Sequence, residues 1–239
     1  MSISAESSDL APTPRRNDRG ILITVAMIVL FIAMVLLLFA NRFFAPARLT
    51  PEQLSSDTLR VLNQPRPLAL ATNADALINH EGSAVSLAFF KDKWSLVFFG
   101  FTHCPDICPT TLNELNLAIK QMPVQLADKV QVTLVSVDPA RDSSEVIKHY
   151  VTQFNDDFTG ITGDFVALKT FANSVSVPFF KVPNTGPHAE HMGEAAYQVD
   201  HGSQVVLINP EGNYHAFFKA PIKAEAIAQQ LPAVVTASY

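Results

Sequence analysis

The chain holds two cysteines in 239 residues, and both lie in one short segment with the sequence FTHCPDICP. Cys104 and Cys108 are four residues apart, which in a helical turn separates their Cα atoms by about 6 Å. A disulfide accepts Cα separations of about 4.4–6.8 Å, so the pair could form one. Two thiolates at this spacing could instead bind one soft metal ion. Chemistry that needs two sulfurs is therefore confined to this segment.

Two sulfurs rarely complete a metal site in a protein, so the pair implies a third ligand, and a histidine from elsewhere is the expected type. Two thiolates and one imidazole match Cu(I), whereas a structural zinc site normally has four ligands. Cu(II) becomes reasonable if an oxygen ligand joins, and Asp106 or Asp200 could supply one or support the ligands from outside. A simple disulfide, or two inert buried thiols, is the alternative that the spacing leaves open. Pro105 and Pro109 favour an exposed, preset turn instead.

The residues around the cysteines predict the elements that would position them. The apolar run 96–100 predicts a buried strand, and the segment from Pro109 predicts the start of a helix. The cysteines then lie on a strand-to-helix turn, close to backbone N–H groups and to the positive end of the helix dipole. This placement predicts that Cys108 favours the thiolate.

Beyond this turn, strand patterns and helix patterns alternate along the chain. Strands show short apolar runs, and helices show apolar residues with a period of 3.6. The predicted segments are a small hairpin at 77–87, strands at 96–100 and 130–137, helices near 112–122, 146–154 and 165–175, a hairpin at 204–218, and a last helix from Pro221. This order describes an α/β fold in which helices cover a mixed sheet.

The N-terminal region predicts a membrane anchor. Residues 21–40 contain no charged side chain and have about the length that a bilayer core requires. A cleaved signal peptide is the alternative, but its apolar core is usually about 7–15 residues long, so we expect an uncleaved transmembrane helix. Arg15, Arg16 and Arg19 precede the helix, which predicts a cytoplasmic tail.

The tail also contains acidic residues, which are scarce in mitochondrial transit peptides. A single-pass protein of the bacterial inner membrane, with its C-terminal part in the periplasm, is therefore the expected location. We expect a cytoplasmic tail at 1–20, a transmembrane helix at 21–40, a proline-marked linker at 41–66 and one folded domain at 67–239. The chain has 17 basic and 22 acidic residues and no basic stripe, so nucleic acid is not an expected partner.

Four segments together resemble the Sco/SenC family. They are FGFTHCPDICP at 99–109, SVDPARD at 136–142, FTGITG at 158–163 and VDH at 199–201. The resemblance covers about residues 66–231. It implies a thioredoxin-like fold in a membrane-anchored copper protein that assists assembly of the binuclear copper centre of cytochrome c oxidase. It also implies that Cys104, Cys108 and His201 bind the copper. Gly202 departs from the family pattern, which more often has a small hydroxyl residue there.

The residues alone support His201 less strongly than the resemblance does. It comes just before the apolar run 204–208, where a loop ligand can be held rigidly. His103 adjoins Cys104, and side chains of sequence neighbours tend to point apart. Without the resemblance, His201 and His191 remain close alternatives.

A second group of soft ligands lies in the loop 187–193. His188, His191 and Met192 could capture copper transiently, and a solvated polar loop is the simpler interpretation. Asp138 and Arg141 in the SVDPARD segment could pair with each other and shape the rim of the site. The simpler interpretation of that segment is a turn followed by helix capping at Ser143.

Two classes of function follow. The first is a metallochaperone that delivers copper to, or prepares, the binuclear copper site of cytochrome c oxidase subunit II or of another periplasmic cuproprotein. The second is a thiol–disulfide oxidoreductase that reduces the cysteines of that site or of another client. Thioredoxin-like oxidoreductases ordinarily use a CxxC motif, and the extra residue between Cys104 and Cys108 suits a metal better. The chaperone is therefore the expected function, and enzyme activity stays open.

Overall fold

The computed structural model describes residues 18–44, 49–70, 76–183 and 197–237, and the chain divides into two compact units, Met1–Arg48 and Leu49–Tyr239. The first unit contains helix α1 (Asp18–Phe44). Its segment Gly20–Leu37 has a mean hydropathy of 3.0, and the helix is long and apolar enough to cross a membrane. The predicted span 21–40 lies within α1.

The second unit is built on a mixed β-sheet. Its strands are β1 (Leu59–Pro67), β2 (Leu77–Asn79), β3 (Trp94–Gly100), β4 (Val130–Ser136), β5 (Thr159–Gly163), β8 (Val205–Ile208) and β9 (Asn213–Phe218), and a separate two-stranded sheet contains β6 (Phe179–Pro183) and β7 (Tyr197–His201). The order in the large sheet is β1-β9-β8-β3-β4-β5-β2. Strands β3, β4 and β5 are parallel, and the other pairs are antiparallel.

Helices cover this sheet, as the sequence predicts for a mixed α/β fold. They are α2 (Pro51–Leu54), α3 (Ile107–Gln121), α4 (Val124–Ala127), α5 (Ser144–Thr152), α6 (Phe165–Ser174) and α7 (Ala224–Ala237), with a 3-10 turn at Leu87–Phe90. Every residue of β3 is buried, which explains its almost continuous apolar sequence. Helix α3 buries Leu112 and Leu115 and packs against α7. The turn that contains the cysteines therefore follows directly after a fully buried central strand.

The structure differs from the sequence-based expectation at several elements. Strand β1 (Leu59–Pro67) overlaps the range 41–66 that was predicted as a linker, because an edge strand tolerates the prolines that suggested a linker. Strand β5 was not predicted, since its TGITG sequence has two glycines and little apolar signal. The last helix begins at Ala224, three residues after Pro221.

The β6–β7 sheet was also not predicted, and it positions one candidate ligand. The strands are antiparallel and pair Phe179 with His201. Phe179 in β6 and Val199 in β7 are buried. Phe180 and Asp200, which follow them in their strands and pair with each other, are exposed. This alternation places His201 on the buried face of β7, since alternate residues of a strand share a face.

Candidate metal centre

The two cysteines occupy the turn between β3 and α3, with different exposure. Cys108 lies in the first turn of α3 and is fully buried, whereas Cys104 lies in the preceding turn and is half-buried. Both are free thiols. The backbone N–H of Cys104 donates a hydrogen bond to the carbonyl of Phe101 at 3.2 Å. One sulfur therefore faces the core, and the other is accessible at the surface.

Gly100 allows the Cys108 sulfur to approach the end of β3. A Cβ atom at this position would lie 2.9 Å from Cys108 Sγ and 2.9 Å from Phe98 Cε1. Both neighbours are fully buried and have little room to move. The glycine in the FGFTHCPDICP segment therefore creates the space that the buried sulfur occupies.

His201 brings an imidazole to the cysteine pair. Its Nε2 atom lies 3.9 Å from Cys108 Sγ, and its Nδ1 atom lies 3.1 Å from the carbonyl oxygen of Gly202. A carbonyl can only accept, so Nδ1 carries a proton, and Nε2 is the ring nitrogen that faces the sulfur of Cys108. The rings of Phe98 and Phe101 each contact the imidazole with their centroids 6.0 Å away. These contacts hold the orientation of the ring.

Gly202 contributes to the site through its backbone. Because its carbonyl makes the hydrogen bond to His201, the departure from the family pattern at this position leaves that contact intact. A Cβ atom on Gly202 would lie 3.2 Å from Cγ1 of the buried Val177, so a larger residue would require that side chain to shift.

The separation between nitrogen and sulfur is compatible with a shared metal ion. With metal–sulfur and metal–nitrogen distances of about 2.3 and 2.0 Å, as in zinc sites, a trigonal ion separates the two atoms by about 3.7 Å. The observed distance between Cys108 Sγ and His201 Nε2 is 3.9 Å. Among the described residues, no three His, Cys, Asp or Glu side chains already close around one point. Metal binding would therefore require Cys104, Cys108 and His201 to move closer together.

The two thiols differ in pKa, and the difference is opposite to the one that the sequence predicts. A hydrogen bond from the Cys108 thiol holds the pKa of Cys104 well below its usual range, and the backbone N–H groups of Cys108 and Asp106 act in the same direction. The hydrogen bond to Cys104, followed by burial, raises the pKa of Cys108. The prediction that Cys108 favours the thiolate is therefore wrong. It considered the helix dipole but not the burial of this sulfur.

The two aspartates predicted as oxygen donors have different positions. Asp106 is exposed, and its backbone N–H rather than its carboxylate interacts with Cys104. Asp200 is exposed and precedes His201 in β7, so it lies on the opposite face of the strand. Their role as copper ligands stays a prediction.

Each of the other described histidines either contacts a residue other than the two cysteines or is exposed. His103 is exposed, and its Nδ1 lies 3.0 Å from Thr102 Oγ1. His80 Nδ1 accepts a hydrogen bond from the backbone N–H of Gly160 at 3.1 Å. His149 is exposed on α5, and His215 contacts the ring of Trp94. His188, His191 and Met192 lie outside the described residues.

The loop after β4 contains polar residues whose importance the sequence only partly indicated. Asp142 is fully buried, and its carboxylate accepts hydrogen bonds from Thr102 Oγ1 at 2.6 Å and from Ser136 Oγ at 2.7 Å. Burial raises the pKa of Asp142. The suggested ion pair between Arg141 and Asp138 is present. Asp142 therefore anchors the segment that leads to Cys104, a role for which the SVDPARD motif was the available signal.

The SCO1/SenC family model matches residues 68–236. The chain belongs to the SCO1/SenC family. A protein of Stutzerimonas stutzeri named "Putative copper-binding protein" is 31% identical over 75% of this chain and 83% of its own length. The crystal structure of Arabidopsis thaliana ScoI with copper bound is 30% identical, with a TM-score of 0.60, over 68% of this chain and 96% of ScoI.

A more distant structure shows the same fold. BsSco, described as a member of the Sco family of cytochrome c oxidase assembly proteins, is 20% identical to this SCO1/SenC chain, with a TM-score of 0.50. The match covers 77% of this chain and 96% of BsSco. The thioredoxin-like fold predicted from the resemblance is therefore confirmed by comparison with solved family members.

Proposed function

We propose that this SCO1/SenC protein binds copper through Cys104, Cys108 and His201, and that it delivers the copper to, or prepares, the binuclear copper site of cytochrome c oxidase subunit II. The observation that carries the proposal is the position of His201 Nε2, 3.9 Å from the buried sulfur of the only cysteine pair in the chain. Two sulfurs and one neutral imidazole form a donor set that suits Cu(I). The copper-bound ScoI structure supports the same metal.

The exposure of the two sulfurs suits transfer rather than permanent storage. Cys104 is half-buried and is followed by exposed residues from Pro105 to Ile107, so a partner could reach this ligand. Cys108 and the Nε2 atom of His201 would retain the ion while a ligand of the client replaces Cys104. Such ligand exchange needs no free copper ion in solution.

The test of this proposal is a transfer experiment with the detergent-solubilised full-length protein. After loading with Cu(I), it is mixed with the reduced, copper-free soluble domain of cytochrome c oxidase subunit II, and the copper content of the separated proteins is measured. We expect copper to move to the client. The control for passive uptake is the same amount of Cu(I) mixed with the Cys104→Ser protein. Equal transfer from both preparations would contradict the proposal.

A second function is favoured by the unequal exposure of the free thiols. Cys104 could attack a client disulfide to form a mixed disulfide, which releases one client thiolate. Cys108 would then attack the Cys104 sulfur, release the second client thiolate and leave a disulfide between Cys104 and Cys108. Two electrons pass to the client, and an external thiol reductant must restore the dithiol. Both functions use the same sulfurs, and only copper binding needs His201.

We further propose that α1 is an uncleaved anchor, with residues 1–20 in the cytoplasm and the domain after the linker in the periplasm of a bacterium. Arginines before the helix support this orientation. A reporter enzyme fused after Tyr239 is expected to be active only if it functions in the periplasm. Activity of a strictly cytoplasmic reporter at the same position would contradict the proposed topology.

A further inference from the structure

The buried carboxylate of Asp138 connects the loop after β4 to the β6–β7 sheet. Asp138 is fully buried, and its carboxylate forms an ion pair with the Arg141 guanidinium. The same carboxylate accepts a hydrogen bond from the Tyr197 hydroxyl at 2.5 Å. The Lys181 ammonium lies 3.9 Å from the carboxylate oxygen. Because a buried carboxylate is costly without partners, these contacts favour one relative position of the two segments.

The ring of Tyr197 strengthens this connection. The Arg141 guanidinium lies over the ring at 4.1 Å from its centroid, and the Lys181 ammonium lies over it at 4.3 Å. Tyr197 begins β7 and His201 ends it. Residues 197, 199 and 201 share one face of the strand, so the anchored tyrosine and the candidate ligand point to the same side.

A second route of contacts leads from the ion pair to the imidazole. The Arg141 guanidinium also lies 5.6 Å from the centroid of the Phe101 ring. That ring contacts His201, and the Phe101 carbonyl accepts the hydrogen bond from Cys104 N–H. The guanidinium thus contacts both the strand that carries the imidazole and the residue that supports the cysteine turn.

We propose that Asp138, Arg141 and Tyr197 form a positioning cluster that holds β7 in place and so keeps His201 against the cysteine pair. This inference rests on the proposed function, because it takes His201 as a copper ligand. A two-stranded sheet is only marginally stable alone, so β6–β7 needs such an anchor. Metal ligands have to be held within about 0.5 Å of the productive geometry.

A double-mutant cycle tests this proposal on the reduced full-length protein. Tyr197→Phe removes the hydroxyl that binds Asp138 but keeps the ring under Arg141. We expect the Cu(I) dissociation constant, measured by competition with a chromophoric chelator, to rise about tenfold, as for other residues that orient metal ligands. In a His201→Ala background the same substitution should change affinity less than twofold, since the imidazole that it positions is absent.

Tyr214→Phe is the matched control. Tyr214 is a buried tyrosine on β9 with the Arg66 guanidinium 4.9 Å from its ring centroid, so it has the same kind of cation–π contact. We expect it to leave copper affinity unchanged. Urea unfolding of each copper-free variant shows whether the titrated protein is folded.

The outcomes separate the two proposals. A loss with Tyr197→Phe that is equal in both backgrounds, or absent from both, overturns the positioning cluster while leaving His201 as a ligand. If His201→Ala alone leaves copper affinity unchanged, the ligand assignment fails, and the positioning cluster fails with it. Loss of affinity in the native background alone supports the cluster, because a general weakening of the fold would act in both backgrounds.

Discussion

Oxidation of Cys104 and Cys108 to an intramolecular disulfide is expected to abolish Cu(I) binding. The disulfide removes both thiolates, and one remaining imidazole is a poor site for a soft ion. Reduced full-length protein should bind a single Cu(I), and oxidised protein should bind none at the same chelator concentration. Thiol trapping should detect two free sulfurs after mild reduction and none after oxidation.

Single cysteine substitutions give the matching control for this prediction. Cys104→Ser and Cys108→Ser each leave one thiol and cannot form the intramolecular disulfide. Both should lose tight copper binding, and oxidants should not change the residual affinity. If oxidised native protein bound Cu(I) as tightly as reduced protein, the sulfurs would not be the ligands. The spacing of the pair would then serve only a disulfide.

The cysteine turn could be predicted because its determinants are local. The buried apolar run and the start of a helix near Pro109 are visible in the sequence, although α3 begins two residues earlier, at Ile107. The acidity of the two sulfurs could not be predicted in the same way. The burial of Cys108 depends on tertiary contacts with the core, and this buried thiol donates a hydrogen bond to Cys104. A rule based on the helix dipole alone therefore favoured the wrong sulfur.

The position of His201 shows a different limit. The sequence placed it just before an apolar strand, but the structure places it at the end of β7, paired with Phe179. The pattern YQVDH is short, and its buried face contacts a loop that lies far away in the chain. The partnership of Tyr197 with Asp138 spans 59 residues and has no sequence period that would reveal it. Family resemblance indicated the histidine, while its support became visible only in the fold.

Replacement of His201 by alanine is expected to separate copper binding from dithiol chemistry. The substitution keeps both sulfurs but removes the nitrogen that lies 3.9 Å from Cys108 Sγ. Loss of residues that merely orient ligands raises metal dissociation constants by about 10–100-fold, so loss of a ligand should raise them at least that much. Disulfide exchange with a model thiol should persist, because no sulfur has been removed.

The same variant distinguishes the two functions in cells. A copper chaperone needs the imidazole, so His201→Ala should abolish assembly of cytochrome c oxidase, measured as oxidase activity in membranes. His149→Ala, at an exposed position on α5, is the matched control and should have no effect. His191→Ala tests the alternative ligand in the loop 187–193 and should be nearly silent. Assembly that survives His201→Ala but fails with Cys104→Ser or Cys108→Ser would instead favour the oxidoreductase, because dithiol exchange requires the two sulfurs and not the imidazole.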